Sequence, residues 1–375
     1  MTNSESGYKR HAFTLSPLDV LFFRDGKNFT ASTRASGSGQ PFPQTLYGAL
    51  FTILLQNADT TIFKRWSSIR RESQDSIDAA LKSAGLPDWI GQMRLRGPWL
   101  ARMQPDAKEP VSVYLKVPAI LSRREITDNA PSVVNRFAPL QNSPPGWKAD
   151  FAPLWNRSKD VGTSISGYIT LDGMRRFLHS ETLNECDFIL PGDIYDSDNR
   201  TGIEIESARN IAKEHQIYAS SFLSLAPGYC YYAEIDIPDN IKPTELLPQN
   251  SVLPWGGEGK SVILEWAKGI TWPASNQDTE KSLMVLITPG IFTNSRKPDS
   301  IDSNPYSAML PGYDAVSGWD MAKNAPKPSR YAVPAGCVYF YDQNINLPLN
   351  NSLCTRPEDI RQGWGLALKG NWNYA

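Results

Sequence analysis

The sequence predicts an α+β protein built on antiparallel sheets. Segments that alternate or run apolar over strand lengths outnumber amphipathic helical windows by about two to one. The helical windows fall between strands and not in one block, which is typical of sheets that helices cover on one face. The chain has 375 residues, 41% of them hydrophobic. A typical domain has about 150 residues, so the chain is long enough for two domains with substantial cores. Two β-α-β-β-α-β units, each with an antiparallel sheet, would use these elements economically.

The individual elements follow from local pattern. Strands are predicted at residues 11–23, 95–103, 111–117, 186–190, 202–205, 229–237, 261–266, 283–288, 337–341 and 364–369. Helices are predicted at residues 44–56, 76–84, 171–179 and 317–323. The first helix begins directly behind Pro43, and proline suits the first position of a helix because the amide it lacks would have no partner there.

Two irregular segments indicate insertions. Residues 122–161 hold five prolines, a Pro-Pro-Gly turn at 144–146 and little periodicity, so they form a long insertion or linker. We therefore place an N-terminal module at residues 1–161 and a C-terminal module at residues 162–375. Residues 293–311, rich in Asn, Ser, Asp and Pro, are predicted to loop out of the second module until a partner docks.

Several classes of protein are disfavoured. The longest strongly apolar window, residues 46–55, is about half of the ~20 residues that a membrane span needs, and the polar start lacks a signal-peptide core. We expect a cytoplasmic protein with no membrane partner. The four cysteines, Cys186, Cys230, Cys337 and Cys354, show no paired spacing, so we predict free thiols, no metal and no cofactor.

Charge is distributed unevenly along the chain. Residues 1–136 hold 18 basic and 12 acidic residues, although the whole chain has a net charge of −1. The N-terminal part is therefore the better candidate for facing a polyanion. Residues 181–206 carry eight acids and Arg200 as the one base. That stretch suits either a solvated loop or contact with a basic protein partner.

A candidate anion-binding loop follows the first strand. The apolar run at residues 20–23 stops at Arg24, and residues 27–40 contain Lys27, Thr33 and Arg34 with other hydroxyl side chains, two glycines and no acid. Backbone amides and cations can bind the phosphates of a nucleic acid when no carboxylate competes for them. Arg24 could hold a phosphate, or it could pair with a neighbouring aspartate.

The predicted helix behind Pro43 continues this candidate site. Gln44 and Thr45 would present polar groups and free amides at the positive end of the helix dipole. Tyr47 and Gly48 lie in the first turns, and glycine inside a helix costs about 1 kcal/mol relative to alanine. Gly48 therefore permits close approach by a ligand or backbone, or lets the helix sit tightly on its own sheet.

Two further glycine-containing segments could approach nucleic acid. Gly256, Gly257 and Lys260 belong to a cluster without the spacing of a nucleotide-binding P-loop, so they form either a plain turn or a turn that admits an RNA backbone. Arg200 and Arg209 flank the strand predicted at residues 202–205. These two arginines either contact nucleic acid or form ion pairs with the surrounding acidic residues.

The last glycine-containing segment lies near the end of the chain. Gly363, Trp364 and Gly365 precede a short apolar strand that ends at Lys369. A tryptophan face that stacks on a base contributes about 1–3 kcal/mol. Trp364 could equally anchor the core.

Six segments in order resemble one known family. They are residues 17–26 (PLDVLFFRDG), 42–50 (FPQTLYGAL), 200–206 (RTGIEIE) running on to 215–218 (HQIY), 256–260 (GGEGK), 333–340 (VPAGCVYF) and 363–372 (GWGLALKGNW). Together they resemble the third-subunit family of the Cmr complex, the RNA-guided type III-B CRISPR effector. The resemblance spans nearly the whole chain.

The resemblance implies a fold and a function. It implies two ferredoxin-like modules of the RRM-like RAMP type, whose glycine-rich loop before the last strand contacts RNA. It further implies a non-catalytic antiviral-defence subunit that binds the 5′ tag of the guide RNA. The implied protein partners are the large subunit that makes cyclic nucleotides and a neighbouring backbone RAMP subunit.

Two alternatives remain open. A metal-independent endoribonuclease that processes guide-RNA precursors would need an acid and a base beside the scissile phosphate, commonly histidines. His11, His179 and His215 are far apart in the sequence and lie in no recognised motif. A purely structural scaffold without RNA contact is disfavoured by the acid-free loop at residues 27–40.

Overall fold

The computed structural model describes residues 7–23, 38–72, 77–104, 111–124, 133–206, 211–274, 280–320 and 324–375; for residues 71, 72, 202–206 and 211–219 it describes the backbone only. The described helices are α1 (Pro43–Ala58), α2 (Thr60–Glu72), α3 (Ile77–Ser83), α4 (Trp89–Gln92), α5 (Leu171–Leu178) and α6 (Pro357–Gln362). None of them is long and apolar enough to cross a membrane.

The described strands are, in chain order, β1 (Tyr8–Pro17), β2 (Arg94–Met103), β3 (Val111–Lys116), β4 (Leu121–Arg124), β5 (Val133–Arg136), β6 (Ala138–Pro139), β7 (Leu154–Trp155), β8 (Thr163–Ser164), β9 (Tyr168–Thr170), β10 (Phe188–Ile189), β11 (Tyr195–Glu206), β12 (Ile211–Leu225), β13 (Tyr229–Pro238), β14 (Ser251–Pro254), β15 (Ser261–Ala267), β16 (Ser282–Leu286), β17 (Ser307–Met309), β18 (Asp314–Val316), β19 (Trp319–Asp320), β20 (Ala325–Pro326), β21 (Arg330–Ala332), β22 (Val338–Tyr341) and β23 (Ala367–Asn371). Every pairing among these strands is antiparallel. The predicted α+β class with antiparallel sheets is confirmed.

The larger sheet has eight strands in the order β10-β9-β3-β2-β13-β1-β15-β14. In its centre, Phe13 of β1 lies opposite Ala233 on one side and Trp266 on the other. The sheet takes β3 from before residue 161 and β9 from after it, so the boundary predicted there falls between two strands of one sheet.

The smaller sheet has four strands in the order β17-β22-β16-β23. All four come from residues 282–371, so residues 268–281 separate the two sheets along the chain. The predicted loop at residues 293–311 is therefore wrong at its end, because β17 pairs there with β22 and forms the edge of the sheet. A three-residue edge strand leaves little local signal in the sequence.

Helix α1 illustrates how the first core forms. Leu46, Leu50 and Leu54 recur every four residues, share one face of the helix and are 0% exposed. They pack with Phe13 and Leu264 of the larger sheet in one cluster. Each leucine contributes about 1.5–3 kcal/mol by leaving water, which holds helices α1 to α4 on this face.

Two more cores complete a layered arrangement. The opposite face of the larger sheet packs on the smaller sheet and α5, through Trp99, Phe177 and Phe340. The outer face of the smaller sheet has its own cluster, which includes Tyr339 and Trp364. The order of layers is therefore helices, larger sheet, smaller sheet with α5, and loops.

The insertion after β3 is built from short strands that cover an edge. Strands β5-β4-β8 and β6-β7 form two small sheets. The amide of Ala152 donates to the Tyr306 carbonyl at 2.9 Å, and the Ser307 hydroxyl donates to the Ala152 carbonyl at 2.6 Å. The insertion thus covers strand β17, which would otherwise expose an unpaired edge.

One predicted helix is wrong. Residues 317–323 were expected to be helical, but β19 pairs there with β20 in a two-stranded sheet. The predictions also missed α2, α6 and the second strand of the β11–β12 hairpin. Short elements of this kind are fixed by partners that lie elsewhere in the chain and not by their own periodicity.

Candidate nucleic-acid interface

The ends of the predicted anion-binding loop lie side by side. The amide of Phe23 donates to the Ser38 hydroxyl at 2.9 Å, and the amide of Gly39 donates to the Phe23 carbonyl at 3.1 Å. Ser38 is also tied to β12, because its amide donates to the Ser221 carbonyl at 2.9 Å. The candidate residues Arg24, Lys27, Thr33 and Arg34 lie outside the described residues, as does Arg209.

A long hairpin stands next to this point. Strands β11 and β12 pair from Tyr195 and Leu225 to Glu206 and Ile211. The hairpin is attached to the end of the first apolar run by a bridge in which Leu21 and Leu223 exchange two backbone hydrogen bonds of 2.8 Å. The base of the hairpin and the start of the loop therefore form one surface.

Opposite charges meet on that surface in what we call the Asp19 cluster, formed by Asp19, Asp198, Arg200, Phe222 and Lys260. The Lys260 Nζ lies 3.0 Å from the Asp19 carboxylate, and the Arg200 guanidinium lies 3.5 Å from Asp19 and 2.7 Å from Asp198. Both cations stand over the Phe222 ring, 5.0 and 5.1 Å from its centroid. The hydrogen bond from Lys260 holds the pKa of Asp19 below its usual value. Two cations and two carboxylates leave the cluster neutral.

The Gly256 turn closes on the same region. Gly256 has φ +91°, and a Cβ there would lie 2.6 Å from the Phe22 carbonyl oxygen. The amide of Gly257 donates to that same oxygen at 2.8 Å. These glycines therefore allow close approach by the protein's own backbone at Phe22. The turn that they form places Lys260 beside Asp19.

The polar groups at the start of α1 are used internally. Gln44 is 8% exposed and its Nε2 donates to the Ser317 carbonyl at 2.7 Å. The amide and hydroxyl of Thr45 both donate to the Phe42 carbonyl, at 3.0 and 2.6 Å. The Gln44 contact fixes the start of α1 against the segment that follows β18, and the Thr45 contacts close the first turn of the helix.

Tyr47 and Gly48 differ in their surroundings. Tyr47 is 7% exposed and its ring stacks on Phe51 with centroids 6.2 Å apart. Gly48 is exposed, and a Cβ there would meet nothing within 4 Å among the described residues. Tight packing of the helix on its own sheet therefore does not explain Gly48.

The glycine-rich C-terminal loop is packed into the protein. A Cβ on Gly363, where φ is +87°, would lie 2.6 Å from the Leu95 carbonyl oxygen, and a Cβ on Gly365 would lie 2.6 Å from the Cys354 sulfur. Trp364 between them is 0% exposed, and its Nε1 donates to Gln362 at 3.0 Å. Of the two roles open to Trp364, the structure supports the core anchor.

Lys369 is also enclosed. Its side chain is 4% exposed, and its Nζ donates to the Asn344 side-chain oxygen at 2.6 Å. Burial lowers the pKa of this lysine, because the charged form loses hydration there. The lysine stabilises the 344–346 segment against β23.

The predicted residues thus fall into two groups. Arg200, Gly256, Gly257 and Lys260 gather at the hairpin base. The start of α1 and the C-terminal loop gather at a second place, joined by the stack of Phe42 on Trp364. Sequence reasoning missed Phe222 and Ser221, which lie in an unremarkable run of strand residues. It considered the aspartates near Arg24, of which Asp19 is one, only as partners for that arginine.

The histidines give no catalytic arrangement among the described residues. The ring of His11 packs against Trp266 at 6.1 Å, and burial lowers its pKa. His179 lies at the end of α5, where its Nε2 is 3.2 Å from the Ala274 carbonyl. The side chain of His215 lies outside the described residues. Within the described residues, no group of three or more His, Cys, Asp and Glu side chains could hold a metal.

Comparison with known families shows to which family the chain belongs. Residues 13–372 match the family model described as CRISPR-associated protein (Cas_Cmr3). The chain belongs to the Cas_Cmr3 family. The resemblance found in the six sequence segments is thereby confirmed. No curated protein sequence matches the chain.

Solved structures of CRISPR effector subunits resemble this Cas_Cmr3 chain. A chain of the type III-B Cmr-beta cryo-EM structure bound to cognate target RNA and AMPPnP matches with TM-score 0.50 and 15% identity, covering 88% of this chain and 86% of that one. A second Cmr-beta structure bound to cognate target RNA matches with TM-score 0.48 and 14% identity, with the same coverage. A chain of the type III-A Csm3-Csm4 subcomplex matches with TM-score 0.38 and 12% identity, covering 97% and 99%. At these identities the first likeness shows the fold.

Proposed function

We propose that this chain is a non-catalytic subunit of a type III-B CRISPR effector that holds the 5′ tag of the guide RNA and docks the large, cyclic-nucleotide-synthesising subunit. The observation that carries the RNA role is the convergence of three segments at the hairpin base. These are the ends of the acid-free loop, the strands β11 and β12, and the Gly256 turn. The solved structure that matches with TM-score 0.50 is of a Cmr-beta complex bound to cognate target RNA, which agrees with this role.

The convergence suits a single-stranded backbone. Cations that track phosphates and aromatic faces that meet bases are the usual means of holding single-stranded RNA. In this proposal Arg24, Lys27, Thr33, Arg34 and Arg209 meet the tag phosphates. Arg200 is 45% exposed and partly pre-paired with Asp19. A phosphate that binds Arg200 and Lys260 therefore replaces the Asp19 carboxylate as their partner.

In this proposal most of the other candidate residues act by packing inside the protein and not by touching RNA. Gln44, Thr45 and Tyr47 position α1, and Trp364 and Lys369 hold the C-terminal loop and β23. Gly48 remains available at the surface. Contact with RNA at the C-terminal loop would pass through its backbone, because its one indole is enclosed.

We further infer that each sheet is a ferredoxin-like module. In chain order, β1, β2, β13 and β15 are adjacent as β15-β1-β13-β2, and β16, β17, β22 and β23 are adjacent as β23-β16-β22-β17. Both orders are 4-1-3-2 with antiparallel neighbours, which is the order of the β-α-β-β-α-β fold. In the first unit α1 follows the first strand, and in the second α6 precedes the last.

Protein partners would use the remaining surfaces. We assign the acidic stretch at residues 181–206 and the insertion to contacts with the large subunit and with a neighbouring backbone RAMP subunit. The eight acids and single base of that stretch suit contact with a basic surface of a partner.

The RNA role is tested by the salt dependence of guide-RNA binding. Replacing Lys27 and Arg34 together with alanine should flatten the slope of log affinity against log salt by about 1.4, since each contact with a single strand contributes about 0.7. The matched control is Lys64→Ala with Arg65→Ala, two exposed cations on α2, which should leave the slope unchanged. An unchanged slope in the first variant, on protein with the parent melting temperature, would place the RNA elsewhere.

A further inference from the structure

A cavity of about 370 Å³ opens between the insertion and the end of β23. Its walls include Arg136, Trp155, Arg157 and Tyr374. None of the wall residues belongs to the interface described above, and none has an acidic side chain. The volume lies within the roughly 300–1,000 Å³ of small-molecule sites.

Arg136 is a largely enclosed cation without a carboxylate partner among the described residues. Its guanidinium donates to the Phe177 carbonyl at 3.0 Å and to the Ser180 hydroxyl at 3.1 Å, and it stands 4.5 Å from the Phe177 ring centroid. Burial lowers its pKa to about 10. Three of the five N–H donors of a guanidinium therefore have no hydrogen bond within the described residues, which leaves this side chain able to receive an anion.

Arg157 adds a second cation to the same cavity. It donates to the Ala375 carbonyl at 3.0 Å, and the amide of Ala375 donates in turn to the Pro139 carbonyl at 3.1 Å. These two bonds hold the chain segment at residue 375 against β6. Both arginines line the cavity, with Arg136 half-buried and Arg157 exposed.

The cavity also presents aromatic surface. Trp155, opposite Ala138 in the β6–β7 pair, is 58% exposed although it is a large apolar side chain. On the other wall, the Tyr374 ring packs on Trp372 with centroids 4.9 Å apart, and Lys281 stands 4.9 Å from the Tyr374 centroid. Flat rings flanked by cations are suited to a ligand that is both planar and anionic.

We propose that this cavity binds a nucleotide, with the base against Trp155 and the phosphate on Arg136 and Arg157. The nucleotide is either a free mononucleotide or one unit of an RNA strand, since both present the same base and phosphate. An acidic peptide would satisfy the arginines but leave the exposed indole without a planar partner. The proposal is independent of the guide-tag site.

Titration of the full chain with AMP, followed by calorimetry, tests the proposal. AMP should bind at millimolar concentration or below, and Trp155→Ala and Arg157→Gln should each weaken binding at least tenfold. The matched control is Trp147→Ala, which removes another exposed tryptophan of the insertion that is not part of the cavity wall. Adenosine, which lacks the phosphate, should bind at least tenfold more weakly than AMP.

A short RNA oligonucleotide distinguishes the two sources. Binding of AMP points to a free nucleotide, and binding of the oligonucleotide alone, lost in Trp155→Ala, points to a strand. The proposal is overturned if neither binds, if Trp147→Ala and Trp155→Ala weaken binding equally, or if adenosine binds as tightly as AMP. The variant in which Lys27 and Arg34 are replaced by alanine should still bind AMP in the cavity. The cavity proposal and the guide-tag proposal can therefore fail independently of each other.

Discussion

Phe42 and Trp364 stack with their ring centroids 5.7 Å apart and their planes at 30°. The contact joins the residue before α1 to the glycine-rich loop before the last strand. Because Trp364 also lies in the core of the smaller sheet, it links the start of α1 to that sheet. The glycines beside it serve this packing, since a side chain on Gly363 or Gly365 would meet Leu95 or Cys354.

Trp364→Ala should lower the free energy of unfolding by about 3–5 kcal/mol, the usual cost of removing a fully buried tryptophan. Chemical denaturation measures this. Trp319→Ala removes the same side chain where it is 54% exposed and should change stability by about 0.5 kcal/mol or less. Equal effects of the two substitutions would contradict the anchoring role.

Gly256→Ala should destabilise the protein more than Gly259→Ala. Both glycines have positive φ, +91° and +64°, so both substitutions carry a backbone cost of about 1–3 kcal/mol. At Gly256 the added Cβ would also lie 2.6 Å from the Phe22 carbonyl oxygen, whereas at Gly259 it would meet nothing within 4 Å. Melting temperatures of the two variants measure the difference, and the prediction is refuted if Gly259→Ala melts at the same or a lower temperature.

Asp19→Asn should strengthen guide-RNA binding and steepen its salt dependence. The substitution removes the carboxylate that pairs with Lys260 at 3.0 Å, whereas Arg200 keeps its 2.7 Å pairing with Asp198. One more phosphate contact therefore becomes available, worth about 0.7 in slope. Glu258→Gln is the control, because it removes the same charge from the exposed Gly256 turn and does not belong to the Asp19 cluster. If both variants shift binding equally, the effect is one of net charge and not of the cluster.

Stability should depend on pH through His11. Burial lowers the pKa of this histidine below its ordinary value, so the unfolded chain takes up a proton at higher pH than the folded chain does. The contribution of the neutral ring is present at pH 8 and is lost as the pH falls from about 6.5 through the depressed pKa. His11→Gln should therefore flatten the change in melting temperature between pH 8 and pH 5. A parent protein whose melting temperature falls no more steeply than that of the variant would refute this assignment.

Local pattern predicted much of the framework. The helix behind Pro43, the strand at residues 229–237 and the helix at residues 171–179 are found as α1, β13 and α5 with bounds shifted by one or two residues. Each carries its own signal, because an amphipathic period or a continuous apolar run fixes which face is buried. Strand pairs as short as β19–β20 carry no such signal, and the expected helix there is wrong.

The sequence by itself determined the α+β class, the principal strands and the family, because these follow from local periodicity and from ordered motifs. Only the tertiary structure decided what the motif residues touch. Positions 19, 200, 222 and 260 have no regular spacing, and they meet because Leu21 pairs with Leu223 and the Gly256 turn closes on Phe22. The same packing enclosed Trp364 and left Trp155 exposed. Two tryptophans look alike in a sequence, but burial depends on which distant strands cover them.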